Sequence, residues 1–207
     1  MRHWKMLGLC LLAALAAMAV VGAGTASATR LCSVNSTPCP SGNTYGKGTA
    51  IKAQLAAGTK SVVTSGFVTV ECSESTMSGK TTSAGGGSGV AVSGEISSVT
   101  WKSCKTSSGE TCTASALGTP WPASVTGSGG NGTMTVTNAG GKFSCAVTCE
   151  YEAKSASVSA TGGNPAFIQA NNVSFSKKGG SFLCSSSASW TAKYEVTAPK
   201  PLFVVSE

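Results

Sequence analysis

Apolar and polar residues alternate along the last quarter of the chain. Trp190, Ala192, Tyr194 and Val196 fall on one side of an extended segment, and Thr191, Lys193, Glu195 and Thr197 on the other. A period of two predicts a strand with one buried and one wet face. Ala198-Pro199-Lys200-Pro201 ends it, and Leu202–Val205 is a short last strand. Upstream, the same pattern recurs in short runs. Ile51, Ala53 and Leu55 alternate with Lys52 and Gln54, which favours a strand over a two-turn helix. Val68, Val70 and Cys72 share a face, as do Val99 and Trp101. Thr135–Thr137 and Lys142–Glu150, separated by Asn138-Ala139-Gly140-Gly141, read as a hairpin. Lys154–Ala160, Ala166–Ala170, Val173–Ser176 and Phe182–Cys184 complete the set. The Gly-rich stretch 84–89 reads as a flexible linker rather than a phosphate-cradling loop, because a strand pattern and not a helix follows it.

No window beyond the N-terminus gives a long amphipathic helix. Many short strands separated by Gly/Ser/Asn turns predict an all-β fold: a single-domain antiparallel β-sandwich, Greek-key or jelly-roll-like. The N-terminus is different. Arg2 and Lys5 precede the apolar run Leu7–Val21, and Ala26-Ser27-Ala28 supplies small residues before a cut ahead of Thr29. Residues 1–28 are therefore expected to be a signal peptide cleaved after Ala28. Residues 29–48 are expected to form a disulfide-tied arm, and 49–207 the sandwich domain. The apolar run is too short to span a bilayer, so a secreted, extracellular protein without a transmembrane segment is expected.

Composition narrows the chemistry. The chain carries a net charge of +7, and loss of Arg2 and Lys5 with the leader leaves +5. Arg30 is then the one arginine. Scattered lysines without guanidinium clusters speak for a solvated surface and against nucleic acid as a partner. The only histidine is His3, and the chain contains no aspartate. That excludes a Ser-His-Asp triad, histidine-ligated zinc and aspartate-built calcium sites from residues 29–207. No cofactor, metal ligand set or catalytic residue is expected. The one enzyme class left open is a two-glutamate glycosidase, for which Glu150 and Glu152 face the same way on one strand. A polar outer strand face continued by Lys154 explains the same pair. Trp101, Trp121 and Trp190 read as core residues or loop anchors rather than a sugar platform.

Nine cysteines less Cys10 of the leader leave an even number in residues 29–207, which implies disulfides in an oxidising compartment. The pairing expected from spacing is Cys32–Cys39, Cys72–Cys184, Cys104–Cys112 and Cys145–Cys149. The last is the weakest, since residues four apart in a strand lie about 13 Å apart and a bridge needs Cα atoms within roughly 7 Å.

Several short pieces taken together carry a resemblance. They are Gly48-Thr49 with Ile51-Lys52-Ala53, Glu71-Cys72-Ser73, Val92-Ser93-Gly94-Glu95-Ile96, and Gly162-Gly163-Asn164-Pro165-Ala166. Cys184, Trp190-Thr191 with Lys193-Tyr194 and Val196-Thr197, and Pro201-Leu202-Phe203-Val204 extend it. In these the chain resembles a family of secreted, cysteine-containing, β-rich bacterial proteins of unknown function. The resemblance implies secretion and one β-domain and assigns no site residue. The expected function is that of a non-catalytic extracellular or cell-surface structural or adhesive protein, with a cell-wall polymer or surface glycan as partner. The alternative is a carbohydrate-binding or glutamate-dependent carbohydrate-active module.

Overall fold

Alternation does build this molecule, but into strands much longer than the runs suggest. The computed structural model describes residues 28–87 and 89–207; the expected signal peptide lies almost entirely outside them. Twelve strands follow one another: β1 (Thr29–Cys32), β2 (Ala50–Leu55), β3 (Ser61–Ser65), β4 (Val68–Thr81), β5 (Val92–Thr106), β6 (Thr111–Leu117), β7 (Trp121–Ser128), β8 (Asn131–Ser144), β9 (Thr148–Thr161), β10 (Phe167–Gly180), β11 (Ser187–Ala198) and β12 (Phe203–Ser206). No α-helix occurs among the described residues; a single 3-10 turn spans Ser41–Asn43.

The main sheet is an eight-strand barrel, not the expected sandwich. Ten strands fill eight positions because two positions are shared. β2 and β3 lie end to end between β4 and β11. β6 and β7 do the same between β5 and β8. The circuit runs β2/β3, β4, β5, β6/β7, β8, β9, β10, β11 and closes on itself, antiparallel throughout. Closure removes every free edge from the sheet. An eight-strand barrel is also just narrow enough to be filled by its own side chains. Ala53, Met77, Ile96, Trp121, Val136, Val158 and Tyr194 are among those that fill it.

Turn-like residues misled the strand count. Asn138-Ala139-Gly140-Gly141 is no turn: β8 runs straight through it. Asn138 has φ +56, and the inward set switches phase there, from Val136 to Ala139. Asn172 (φ +51) does the same on β10 between Ala170 and Val173, where the register to β11 slips. Ser103 (φ +52) does so on β5 before Cys104. Each is a bulge that bends a long strand around the barrel while returning apolar residues to the inside. Gly140 marks a close approach instead: a Cβ there would stand 3.3 Å from the Leu117 side chain and from two backbone oxygens.

One end of the barrel is shut by the chain's own ends. β1 and β12 form an antiparallel ribbon, Thr29 opposite Ser206, bridged to the wall at Gly130–Val204 and Gly163–Leu202. Leu31, Leu202 and Val204 pack over Val92, Ala166 and Val196. The 29–48 arm belongs to this cap: Cys32 is bridged to Cys39, and the Tyr45 hydroxyl donates to the Pro201 carbonyl at 2.7 Å. The Gly-rich stretch is a strap against β1, with the Gly86 amide donating to the Thr29 carbonyl at 2.9 Å. At Gly85 a Cβ would fall 2.0 Å from that same carbonyl oxygen, so the strap lies this close only because glycine stands there.

The other three disulfides differ from those expected and gird the opposite end. They join Cys72 to Cys104, Cys112 to Cys145, and Cys149 to Cys184. Cys72 on β4 stands directly opposite Cys104 on β5, so the expected long bridge Cys72–Cys184 is replaced by a cross-strand one. Cys104 also stands opposite Cys112, as the hairpin reading required, but its sulfur is engaged with Cys72. Cys145 and Cys149 do not pair with each other. A turn separates them, and Cys145 reaches back to β6 while Cys149 reaches the loop after β10. The three links join cysteines 32, 33 and 35 positions apart in sequence, loops worth roughly 3–4 kcal/mol each in the chain-entropy model.

Candidate functional site

The barrel interior offers no seat for a sizeable ligand. Its mid-section holds an apolar void of about 50 Å³ beside Trp101, Trp121, Trp190 and Tyr194. A second void of about 90 Å³ lies beneath the cap. Both are smaller than the ~150 Å³ an engineered apolar cavity needs to hold benzene. The polar atoms here are satisfied internally. Ser61 Oγ accepts from Trp190 Nε1 at 2.9 Å and Trp101 Nε1 at 3.2 Å. The Tyr194 hydroxyl and Ser75 Oγ are 2.8 Å apart, and Ser75 donates to the Thr100 carbonyl at 2.7 Å. Burial pushes the Tyr194 phenol above its ordinary 10.0. Trp121 Nε1 donates to the Leu117 carbonyl at 2.7 Å. Among the described residues no buried side-chain nitrogen or oxygen lacks a partner. This interior is structural.

The disulfide-girdled end is open. The turns β3–β4, β5–β6, β8–β9 and β10–β11 surround a hollow of about 320 Å³. Val63, Val70, Phe143 and Tyr151 form part of its lining, and Tyr151 is 3% exposed. The Tyr151 hydroxyl meets Ser65 Oγ and donates to the Ser185 carbonyl at 3.2 Å, tying the β3 end to the β10–β11 loop. Lys177 Nζ props that loop from below, donating to the Ser181 carbonyl at 2.7 Å and the Cys184 carbonyl at 3.4 Å. The Cys149–Cys184 bridge anchors it again.

The rim has two characters. Phe67 is fully exposed, Phe182 90%, Leu183 66% and Val68 50%. Scattered exposed apolar side chains need no explanation, but these are grouped. Of five large hydrophobic residues exposed among the described residues, only Val90 lies away from this end. The β5–β6 turn adds a polar stretch to the lining, Thr106, Ser107, Ser108 and Glu110, and lies beside the β3–β4 end, the Ser107 amide donating to the Thr69 carbonyl at 3.0 Å. Glu110 is the one charged residue among the described residues that lines the hollow.

The residues singled out in the sequence lie elsewhere. Glu150 and Glu152 share the outer face of β9, as alternation required, and both are ion-paired there. Glu150 is 3.7 Å from Lys142 Nζ, and Glu152 is 2.6 Å from Lys178 Nζ. The hydrogen bond and charge of Glu152 hold the Lys178 ammonium above its ordinary range. Trp101, Trp121 and Trp190 all pack in the barrel core. This placement gives no support to a hydrolytic carboxylate pair flanked by sugar-stacking rings. Among the described residues no three His, Cys, Asp or Glu side chains are grouped to hold a metal. Phe182–Cys184 is not the short strand its apolar residues suggest but part of the β10–β11 loop, and the position of Phe182 and Leu183 between Gly179-Gly180-Ser181 and Ser185-Ser186 is the signal of that loop.

Comparison with protein-family models, with curated proteins and with solved structures finds no match.

Proposed function

We propose that the protein is an exported, non-catalytic binding protein that attaches through the open mouth of its barrel, seating an apolar group there. One observation carries this reading. Both ends of the barrel carry apolar side chains, yet among the described residues the cap is covered by β1 and β12 and no strand is laid over the mouth. Three exposed apolar side chains in the lining of a hollow, Phe67, Val68 and Leu183, with Phe182 exposed beside Leu183, are the usual mark of a binding surface. Its volume reaches the low end of the roughly 300–1,000 Å³ typical of ligand pockets. Three disulfides at this end support both the rigidity of the rim and an oxidising, extracellular setting. The role that follows is adhesive: the barrel holds a surface or a secreted molecule by an apolar part of it.

An uncharged fluorescent hydrophobe such as N-phenyl-1-naphthylamine tests this. Saturable binding at one site, weakened tenfold or more in Phe67→Ser/Leu183→Ser, is the expected result. Unsaturable or absent enhancement, or equal binding by the double variant, would overturn it.

A further inference from the structure

The mouth is asymmetric in charge as well as in polarity, and this bears on what it binds. At this end of the molecule the basic groups are committed or face outward. Lys60 pairs with Glu71, Lys142 with Glu150 and Lys178 with Glu152. Lys177 donates to loop carbonyls. Lys105, next to the inward Cys104 on β5, is exposed on the outer wall. Among the described residues no lysine or arginine lines the hollow.

The acidic groups are committed too, with one exception. Glu71, Glu95, Glu150, Glu152, Glu195 and Glu207 each have a lysine or arginine partner. Glu74 accepts from the Ser103 hydroxyl. Glu110 alone has neither an ion pair nor a side-chain hydrogen bond among the described residues, and it is the glutamate that lines the mouth. A single uncompensated carboxylate in the lining beside an apolar lip is complementary to a ligand with an apolar body and one positive charge.

Resting on the mouth as the binding site, we infer that its ligand is a small cationic amphiphile. The apolar body lies against Phe67, Val68 and Leu183, and an ammonium group is turned to Glu110. The hollow of about 320 Å³ is roughly twice the ~150 Å³ that accommodates benzene, so the body is of about ten to twelve carbon atoms. The carboxylate adds selection rather than bulk affinity, since an exposed ion pair is weak.

Three decyl compounds with one tail and three heads separate these contributions: decyltrimethylammonium, decyl maltoside and decyl sulfate, each titrated calorimetrically below its micelle-forming concentration at low salt. The cationic compound is expected to bind about threefold more tightly than the uncharged one, and the anionic one more weakly by a similar factor, in line with exposed pairs. Glu110→Gln should bring the three together without changing the unfolding midpoint. Leu183→Ser should weaken all three. Equal affinities in the unmodified protein, or a cationic preference that survives Glu110→Gln, would overturn the ligand assignment while leaving the mouth as a binding site. If neither the three compounds nor phosphatidylcholine vesicles bind, the site itself is refuted. Sedimentation with phosphatidylcholine vesicles in the absence of any binding to the monomeric decyl compounds would also overturn the assignment, making the partner a bilayer.

Discussion

The two ends of the barrel solve one problem in opposite ways. A tube of alternating strands leaves apolar side chains at each opening. At the cap end they are covered by Leu31, Leu202 and Val204, carried on a ribbon made from the first and last strands. Among the described residues no strand crosses the mouth, and the rim is held instead by three covalent links between neighbouring strands and turns. Covering and cross-linking both stiffen an opening, but only the second leaves it accessible. A cap secures stability through buried area; a girdle secures it through the unfolded state and keeps the surface free for a partner.

Four substitutions press on that contrast. The largest effect is expected at the girdle. Cys149→Ser/Cys184→Ser should lower unfolding free energy by roughly 3–4 kcal/mol in the chain-entropy model, read from the denaturant midpoint, and should free the β10–β11 loop to exchange amide hydrogens faster. Next comes the cap. Leu31 is 5% exposed, and Leu31→Ala should cost about 2–4 kcal/mol by transfer and cavity effects while leaving hydrophobe binding at the mouth unchanged. If both functions fell together, the two ends would not be independent.

Between the ends, Tyr194→Phe removes the hydroxyl that meets Ser75 and should cost about 1 kcal/mol. It should also alter the alkaline limb of stability. The folded phenol has its pKa raised above 10.0 by burial, so the unfolded chain releases this proton first. The stabilising contribution is complete below pH 10 and is lost as pH climbs toward the folded value. In the phenylalanine variant the fall in denaturant midpoint above pH 10 should be shallower. The smallest stability effect is expected at the rim. Phe67→Ser should stay within about 0.5 kcal/mol, as exposed positions do, yet it should weaken binding more than any of the others.

How far the sequence reveals this molecule depends on whether the signal is local. Trp190, Ala192, Tyr194 and Val196 announce their strand and its buried face, and the structure places three of the four fully inside. Closure is not local: it rests on β11 pairing with β2 and β3, more than 120 residues earlier. Alternation reads the same in a sandwich strand and a barrel strand. Asn138 and Asn172 look like turn residues because they favour the left-handed conformation, and a bulge uses that conformation just as a turn does. The cysteines failed for another reason. Cys104 has a cysteine opposite it on each flanking strand, and spacing cannot say which one its sulfur takes. Glu110 gave no signal at all, since its distinction is that the other glutamates found partners.

The two shared strand positions have a practical consequence. Between Leu55 and Ser61, and again between Leu117 and Trp121, the chain leaves the wall and re-enters it in the same lane, so the ladders on either side are already complete without the excursion. Gly58 and Gly118 sit at these detours with no atom within 4 Å of where a side chain would begin. Both lie part-way along the barrel rather than at either opening. A guest peptide, an epitope or a cysteine-free tag inserted at either detour would ride on the flank of the molecule, turning the barrel into a carrier whose open mouth and displayed cargo are set apart by construction.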